Sequence, residues 1–312
     1  MIERMRLDAK LPRFVDQVRG RGAVWPGVGL FVLTLLSRLP FTSRVLYHWD
    51  SVNFAYAMHE FDIAQDQPQV PGYILYVWLC RLVDLVVGDA QRTMVAISLL
   101  ASALTVVALF YLGRAMFDRR VGVVAALFLS SSPLFWFYGE IALPHAVDAL
   151  LVVVGAWWLY EVLRSRGRYL FPAVVVIAVA GGVRQQTLVF LMPLLLFALH
   201  RVGWRRFLAA GAVGAAVCLV WFMPLMASSG GWANYMRILK VFSRHYQAST
   251  SVFAGAGWWG LRRNLIKFTM YTLYGWSAAL APALLFPVYA AGRWVRHTWR
   301  PRWKPHWRKS LF

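Results

Sequence analysis

Long apolar runs recur along this chain, and they restrict its possible folds more than any other feature. Runs of about 18 or more residues are separated by short segments rich in Arg and Lys. A helical run of that length matches the hydrocarbon thickness of a bilayer, and a soluble domain of ordinary size cannot bury several of them. The mean hydropathy is +0.54, and only 15% of the residues are charged. The sequence therefore predicts an all-α polytopic membrane protein.

The apolar runs predict about eight transmembrane helices. They fall at about residues 23–46, 91–112, 121–138, 146–163, 170–184, 187–200, 206–227 and 265–292. Segment 71–87 is ambiguous, because it is nearly long enough to span but contains Arg81 and Asp84. If it does not cross, about two thirds of the 33 Lys and Arg residues fall on one side, as the positive-inside rule requires. We therefore expect 71–87 to lie along the outer face or dip into it, with both termini cytoplasmic.

The chain is predicted to form a single integral-membrane domain, residues 1–312. It consists of a basic cytoplasmic lead (1–22), a core (23–200), additional spans with an outer loop at 228–263 (201–292), and a basic cytoplasmic tail (293–312). The lead has no cleavage-site pattern, so we expect no removable signal peptide. The net charge of +20 is distributed over short loops, which favours membrane lipids rather than nucleic acid as a partner.

A cluster of acids follows the first predicted span, in a long outer loop that should carry juxtamembrane helices. Segment 48–76 holds four of the thirteen acidic residues. Acids at the bilayer edge are costly unless they face water, the protein interior or a substrate. Asp50 is the candidate general base that takes a proton from an acceptor hydroxyl. The alternative is that Asp50 only caps the helix SVNFAYAMHEF that follows it.

Four segments resemble motifs of the GT-C superfamily of membrane glycosyltransferases, and most closely the protein O-mannosyltransferase-like branch. They are HWDSVNFAYA (48–57), QVPGYILY (69–76), SPLFWFYGEIALPHAVD (132–148) and AGGVRQQTLVFLMP (180–193). The resemblance covers roughly residues 23–200. It implies a GT-C-like fold and a sugar donor linked to polyprenyl phosphate at the outer leaflet. It further implies a direct, inverting displacement in which Asp50 activates an acceptor hydroxyl of a protein, lipid or glycan.

Within this resemblance, Arg184 is the candidate ligand of the donor phosphate. An Arg between two apolar spans needs an anionic or carbonyl partner, and its guanidinium matches phosphate bidentately. The alternative is a structural ion pair with Glu140 or Asp148. Polar residues of the outer turns are expected to bind substrate: His48, Tyr138, Glu140, His145, Asp148, Gln185 and Gln186. For Gln185 and Gln186, the alternative is that they only line the turn. For Glu140 and Asp148, capping of the helix that starts near Pro144 is equally compatible with the sequence.

The segment WANYMRILKVFSRHY in loop 228–263 has the pattern of an interfacial amphipathic helix. Its apolar residues share one face, whereas Arg237 and Lys240 fall on the other. As a lid, this helix would bring the two basic residues to the donor phosphate. Alternatively, it rests on anionic lipid.

No cofactor is expected with confidence from the sequence. A divalent metal site can be imagined from His48, Asp50, His59, Glu60 and Asp62, but none of their spacings forms a recognised ligand motif. The family pattern also has Glu where this chain has Ser51, and His-Pro where it has Gln69-Val70. Two other functions compatible with the sequence are a lipid or solute transporter and a catalytically silent member of the superfamily.

Overall fold

The computed structural model describes residues 21–165, 167–200 and 202–298, apart from the side chains of 21–23, 278–290 and 293–298. The predicted basic lead therefore lies outside the described residues except for 21–22, and the predicted tail except for the backbone of 293–298. Within these ranges the structure is all-helical, with one isolated bridge between Asp62 and Gln67. The twelve α-helices are α1 (Arg21–Arg38), α2 (Trp49–His59), α3 (Ile74–Val87), α4 (Ala90–Met116), α5 (Arg119–Ser131), α6 (Pro133–Tyr138), α7 (His145–Arg164), α8 (Leu170–Val183), α9 (Gln185–Leu199), α10 (Trp204–Ser228), α11 (Trp232–Thr250) and α12 (Gly257–Thr298).

Four helices among the described residues are long and apolar enough to cross a membrane. They are Val24–Phe41, which is α1 with the turn after it, and α4, α7 and α10. Helices α8 and α9 are also apolar, but they have 14 and 15 residues. At 1.5 Å per residue they are about 22 Å long, whereas the hydrocarbon core is about 30 Å thick. The prediction of eight spans is thus supported for four helices, and the others stay predictions.

Two predicted span boundaries are wrong, and proline contributes to both errors. The predicted span 121–138 is broken into α5 and α6 at Ser132, whose ψ of 119° is extended. A residue before proline is pushed out of the α region, and Pro133 follows. The predicted span 23–46 ends early, because α1 gives way to a 3₁₀ turn, Leu39–Phe41, that contains Pro40.

The helices pack around α4, which contacts α1, α3, α5 and α7. A second group forms where α8 packs against α7, α9 and α10. Large apolar side chains point outward from this bundle; Phe190 is 81% exposed and Val220 is 67% exposed. A soluble monomer rarely exposes such surfaces over several helices. Together with the span-length helices, they identify an integral membrane protein.

Helix α3, from the ambiguous segment 71–87, has both of its charged side chains satisfied by protein. Arg81 donates hydrogen bonds to the carbonyls of Ala57 and Met58 at 2.8 and 2.9 Å, at the C-terminal end of α2. Asp84 accepts from the Thr93 hydroxyl of α4 at 2.7 Å. These bonds attach α3 to its neighbours whether or not it enters the bilayer, so its placement at the outer face stays a prediction.

Loop 60–73 is folded against the bundle. Ile63 and Val70 are buried in a cluster with Leu225 of α10 and Tyr235 of α11. Gly72 lies where loop 60–73 meets α10. It has a φ of +114°, and a Cβ at this position would be 2.6 Å from Leu225 Cδ1. Both the backbone conformation and the lack of space require glycine at this position.

We expect Gly72→Ala to destabilise the fold by about 2 kcal/mol, because it combines backbone strain with a steric clash. Gly88→Ala is the matched control, since Gly88 also has a positive φ of +69° but no atom within 4 Å of the added Cβ. The measurement is the midpoint temperature of unfolding in detergent. Equal decreases for the two variants would show that the contact with Leu225 does not matter.

Candidate active site

A cavity of about 870 Å³ lies where α2, loop 60–73, α7, α11 and the turn between α8 and α9 meet. Its volume is within the range of small-molecule sites, roughly 300–1,000 Å³. Five of the residues predicted from the sequence line it: Asp50, His145, Arg184, Gln185 and Gln186. These residues come from three separate segments of the chain, and the structure brings them together around one cavity.

Asp50 is in the first turn of α2 and borders the cavity. The capping residue of α2 is His48, whose Nδ1 accepts a hydrogen bond from the Asp50 backbone N–H at 3.1 Å. The alternative that Asp50 itself caps the helix is therefore wrong. Burial raises the pKa of Asp50; His48, with Nδ1 3.6 Å from the carboxylate, opposes the rise, and Asp66 adds to it. A carboxylate with a raised pKa is a better proton acceptor than an ordinary one.

Arg184 is in an extended conformation (φ −151°, ψ 109°) at the break between α8 and α9. Its Nη1 forms an ion pair with Asp148 Oδ2 at 3.2 Å, and Thr187 donates a hydrogen bond to the other carboxylate oxygen at 2.5 Å. Its Nε is buried and has no hydrogen-bond partner among the described residues. The structural ion pair and an anion-binding role are thus compatible, because one guanidinium has donors for both.

The remaining predicted residues of the cavity wall come from α7 and α9. His145 stacks on Tyr138 with ring centroids 4.3 Å apart, and its Nδ1 is buried without a partner in the described parts of the chain. Gln185 donates to the Pro71 carbonyl at 3.2 Å and accepts from the Tyr235 hydroxyl at 3.4 Å. Gln186 is exposed towards the cavity opening. Gln186 therefore presents an exposed amide, the unpartnered Nδ1 of His145 lies buried in the wall, and Gln185 is mainly held by the protein.

Six predicted site residues do not line the cavity. Asp148 pairs with Arg184, and Tyr138 stacks on His145, so each positions a residue of the cavity wall. His48 caps α2. Glu140 is in a separate environment near Arg38. Arg237 and Lys240 lie on the exposed face of α11, and Arg237 is hydrogen-bonded to Asn234.

The other face of α11 closes the cavity. Leu239, Phe242 and Tyr246 line it and follow one another at spacings of three and four residues, which is one side of a helix. Tyr235, one turn earlier, is buried and donates a hydrogen bond to the Pro71 carbonyl at 3.3 Å. The amphipathic pattern thus predicted the two faces of this helix, but neither Arg237 nor Lys240 lines the cavity.

Sequence reasoning missed several residues of the cavity wall, notably Tyr73, Asp66 and Gln69. Burial raises the pKa of Tyr73; the nearby Arg184 lowers it and Asp50 raises it, so this phenol is close to both the candidate base and the candidate phosphate ligand. The dipeptide Pro71-Gly72 directly before Tyr73 marks a turn and was a usable signal. Asp66 belongs to the acid cluster of segment 48–76, but the sequence assigns it no individual role, because its position depends on the fold of loop 60–73.

Glu140 lies beside a buried arginine. Arg38 in α1 is fully buried; its Nη2 donates to the Ser130 carbonyl at 3.2 Å, and its guanidinium is 5.3 and 5.4 Å from the ring centroids of Phe135 and Trp136. Burial raises the pKa of Glu140 to about 7, although Trp136 and Arg38 act in the opposite direction. Glu140 does not line the cavity, and its role in substrate binding stays a prediction.

This shift predicts a pH-dependent stability. Because the pKa of Glu140 is about 7 in the fold and 4.5 ordinarily, the folded chain retains a proton that the unfolded chain releases. The free energy of unfolding should therefore decrease as the pH rises from about 4.5 through about 7. Glu140→Gln should flatten this dependence in unfolding midpoints measured in detergent. Glu60→Gln, which changes an exposed acid, is the control, and an unchanged slope in Glu140→Gln would contradict the assignment.

No group of three or more His, Cys, Asp or Glu side chains is arranged to hold a metal ion in residues 21–165, 167–200 and 202–298. Of the acids imagined as ligands, Asp62 caps a short 3₁₀ turn through Ala64 N–H at 2.8 Å, and Asp50 lies beside His48.

The comparisons with known proteins agree with the resemblance seen in the motifs. The family model of dolichyl-phosphate-mannose-protein mannosyltransferases matches residues 66–227, just over half of the chain. No curated protein and no solved structure matches this chain. The matched range includes His145 and Arg184 but begins after Asp50. The chain thus belongs to the dolichyl-phosphate-mannose-protein mannosyltransferase family, and it is a membrane glycosyltransferase of the GT-C type.

Proposed function

We propose that this glycosyltransferase moves a sugar from a polyprenyl-phosphate donor to a hydroxyl group of an acceptor, with inversion at the anomeric carbon. The observation that carries the proposal is the shared cavity: a carboxylate with a raised pKa and a guanidinium whose side chain is 35% exposed border the same space of about 870 Å³. Direct displacement at a sugar phosphate needs these two groups, a base for the nucleophile and a cation for the leaving group.

In the proposed reaction, the acceptor oxygen attacks the anomeric carbon and transfers its proton to Asp50. The bond between the anomeric carbon and the phosphate oxygen breaks, and its electron pair leaves with the polyprenyl phosphate. Arg184 stabilises the charge that develops on this phosphate, while Asp148 holds the guanidinium in position. Since attack and departure occur on opposite sides of one carbon, a single displacement inverts its configuration. His145 and Gln186 are the groups proposed to contact sugar hydroxyls.

The distribution of basic residues supports an outer-face location for this site. Helix α7 runs from His145 at the cavity to Arg164, and α8 runs back from Leu170 to Val183 beside Arg184. The cavity and the basic turns after α7 and before α10 therefore lie at opposite ends of the bundle. Because Lys and Arg favour the cytoplasmic side, we place the turns and both termini there and the cavity at the outer face of a bacterial-type plasma membrane.

The test is turnover by the purified full chain in lipid vesicles supplied with a radiolabelled polyprenyl-phosphate hexose and candidate acceptors. The expected result is labelled product with the opposite anomeric configuration, together with released polyprenyl phosphate. A product that retains the donor configuration would contradict the single displacement. If the donor is translocated across the bilayer without cleavage, the transporter alternative replaces the proposal.

A further inference from the structure

A second polar cavity lies at the end of the bundle opposite to the candidate active site. It has a volume of about 270 Å³ and is formed by Ser165 and Gly167 after α7, Arg168 and Phe171 at the start of α8, and Arg206 in the first turn of α10. Among the described residues, no carboxylate lies within ion-pair distance of Arg168 or Arg206. Two guanidinium groups beside one cavity, without an acidic partner, favour an anion such as a phosphate group.

An apolar cavity adjoins this basic one along the same two helices. It has a volume of about 280 Å³ and is enclosed by side chains of α8, α9 and α10. Val174 in its wall is three residues after Phe171, and Ala210 is four residues after Arg206, so each pair shares one helix face. The apolar cavity therefore lies about one helical turn, roughly 5 Å, deeper in the bundle than the two arginines. Leu196 in its wall is 54% exposed, so this wall is at the lipid-facing surface of the bundle.

Trp221 separates the apolar cavity from the candidate active site. This side chain is buried, and its indole N–H donates a hydrogen bond to the Ala178 carbonyl at 3.0 Å. Its Cγ would be 2.8 Å from a Cβ placed on Gly182, so it fills the space between α8 and α10 at that level. A chain that enters the apolar cavity from the active-site end would have to displace this ring. An acyl chain would therefore enter the apolar cavity from the end near Arg168 and Arg206 or from the side of the bundle.

We propose that the two cavities together bind an anionic phospholipid from the leaflet opposite to the active site. The lipid phosphate lies between Arg168 and Arg206, and one acyl chain extends along α8 and α10 in the apolar cavity. A free phosphate ion would use only the basic part, and the lipid chain of the sugar donor would have to approach from the other end. The site does not depend on the proposed reaction, because it shares no residue with the catalytic cavity.

The test is native mass spectrometry of the full chain in detergent with dioctanoyl phosphatidylglycerol, from which an apparent Kd is obtained. The variant Arg168→Gln/Arg206→Gln removes the phosphate contacts and should weaken binding roughly 30-fold. Gly211→Leu fills the apolar cavity, where a Cβ has no atom within 4 Å, and should weaken binding about tenfold while the unfolding midpoint is retained. The control Arg119→Gln/Arg120→Gln removes the same charge from the exposed start of α5 and should change the Kd less than about twofold.

Three results would overturn the proposal. An equal loss of affinity in the control variant would show a general attraction to a basic surface. If inorganic phosphate competes fully and Gly211→Leu binds phosphatidylglycerol normally, the site takes free phosphate and no acyl chain. If Gly211→Leu loses only the binding of a short polyprenyl phosphate, the apolar cavity belongs to the donor. Weaker binding of dioctanoyl phosphatidylcholine than of phosphatidylglycerol by the wild type would support recognition of the net charge.

Discussion

Replacing Asp50 by Asn should lower the rate of sugar transfer by roughly 10²- to 10⁴-fold, the usual contribution of a positioned general base. Asparagine has nearly the same shape but cannot take the proton of the acceptor hydroxyl. The cap of α2 should persist, because His48 rather than Asp50 supplies the capping side chain. The unfolding midpoint should therefore stay close to that of the wild type. The measurement is initial rate with the labelled donor in lipid vesicles.

Two further variants test whether the loss of activity is specific to the carboxylate of Asp50. Glu60→Gln removes an exposed carboxylate at the end of the same helix and should leave the rate unchanged. Asp66→Asn removes a negative charge that raises the pKa of Asp50, so the pKa of Asp50 should fall. Because the base must be ionised, the decline in rate at low pH should then begin at a lower pH than in the wild type. A well-folded Asp50→Asn protein with normal turnover would exclude Asp50 as the base.

Replacing Arg184 by Gln should weaken donor binding roughly 10- to 100-fold, since a charge-assisted contact to phosphate is lost. Binding of the acceptor should change much less. Arg184→Lys keeps the charge but loses the planar fork, so we expect an intermediate affinity. The measurement is equilibrium binding of a polyprenyl-phosphate hexose and, separately, of polyprenyl phosphate alone. Arg184→Gln should decrease the affinity for both ligands to a similar extent, because both contain the phosphate.

The ion pair with Asp148 supplies the competing explanation for Arg184, and a variant of its partner separates the two. If Arg184 were only structural, Arg184→Gln and Asp148→Asn would each lower the unfolding midpoint, and neither would change the affinity for the donor. In the proposed arrangement Asp148→Asn leaves the guanidinium in the cavity but less well oriented. We therefore expect Asp148→Asn to weaken donor binding less than Arg184→Gln does. Unchanged donor affinity in Arg184→Gln would contradict the phosphate role.

The sequence alone was enough to recognise a helical membrane protein and its family. Both conclusions depend on local features, the length of apolar runs and the residues of short motifs, which need no knowledge of distant contacts. The polar turns carrying His145, Arg184 and Gln186 could be selected for the same reason, since polar residues next to apolar spans need an explanation. Local proline effects explain the misplaced ends of two spans, and these could have been read from Pro40 and Pro133.

The tertiary structure decided which of these residues share a site. Arg184 and Asp148 are 36 residues apart in the chain, and their ion pair depends on how α7 packs against α8 and α9. Tyr73 reaches the same cavity only because loop 60–73 is folded against α10 and α11. The amphipathic pattern of α11 showed that Lys240 and Leu239 lie on different faces, but periodicity contains no information about which face meets the cavity. That choice follows from long-range packing, which buries Tyr235 and leaves the basic face of the helix exposed.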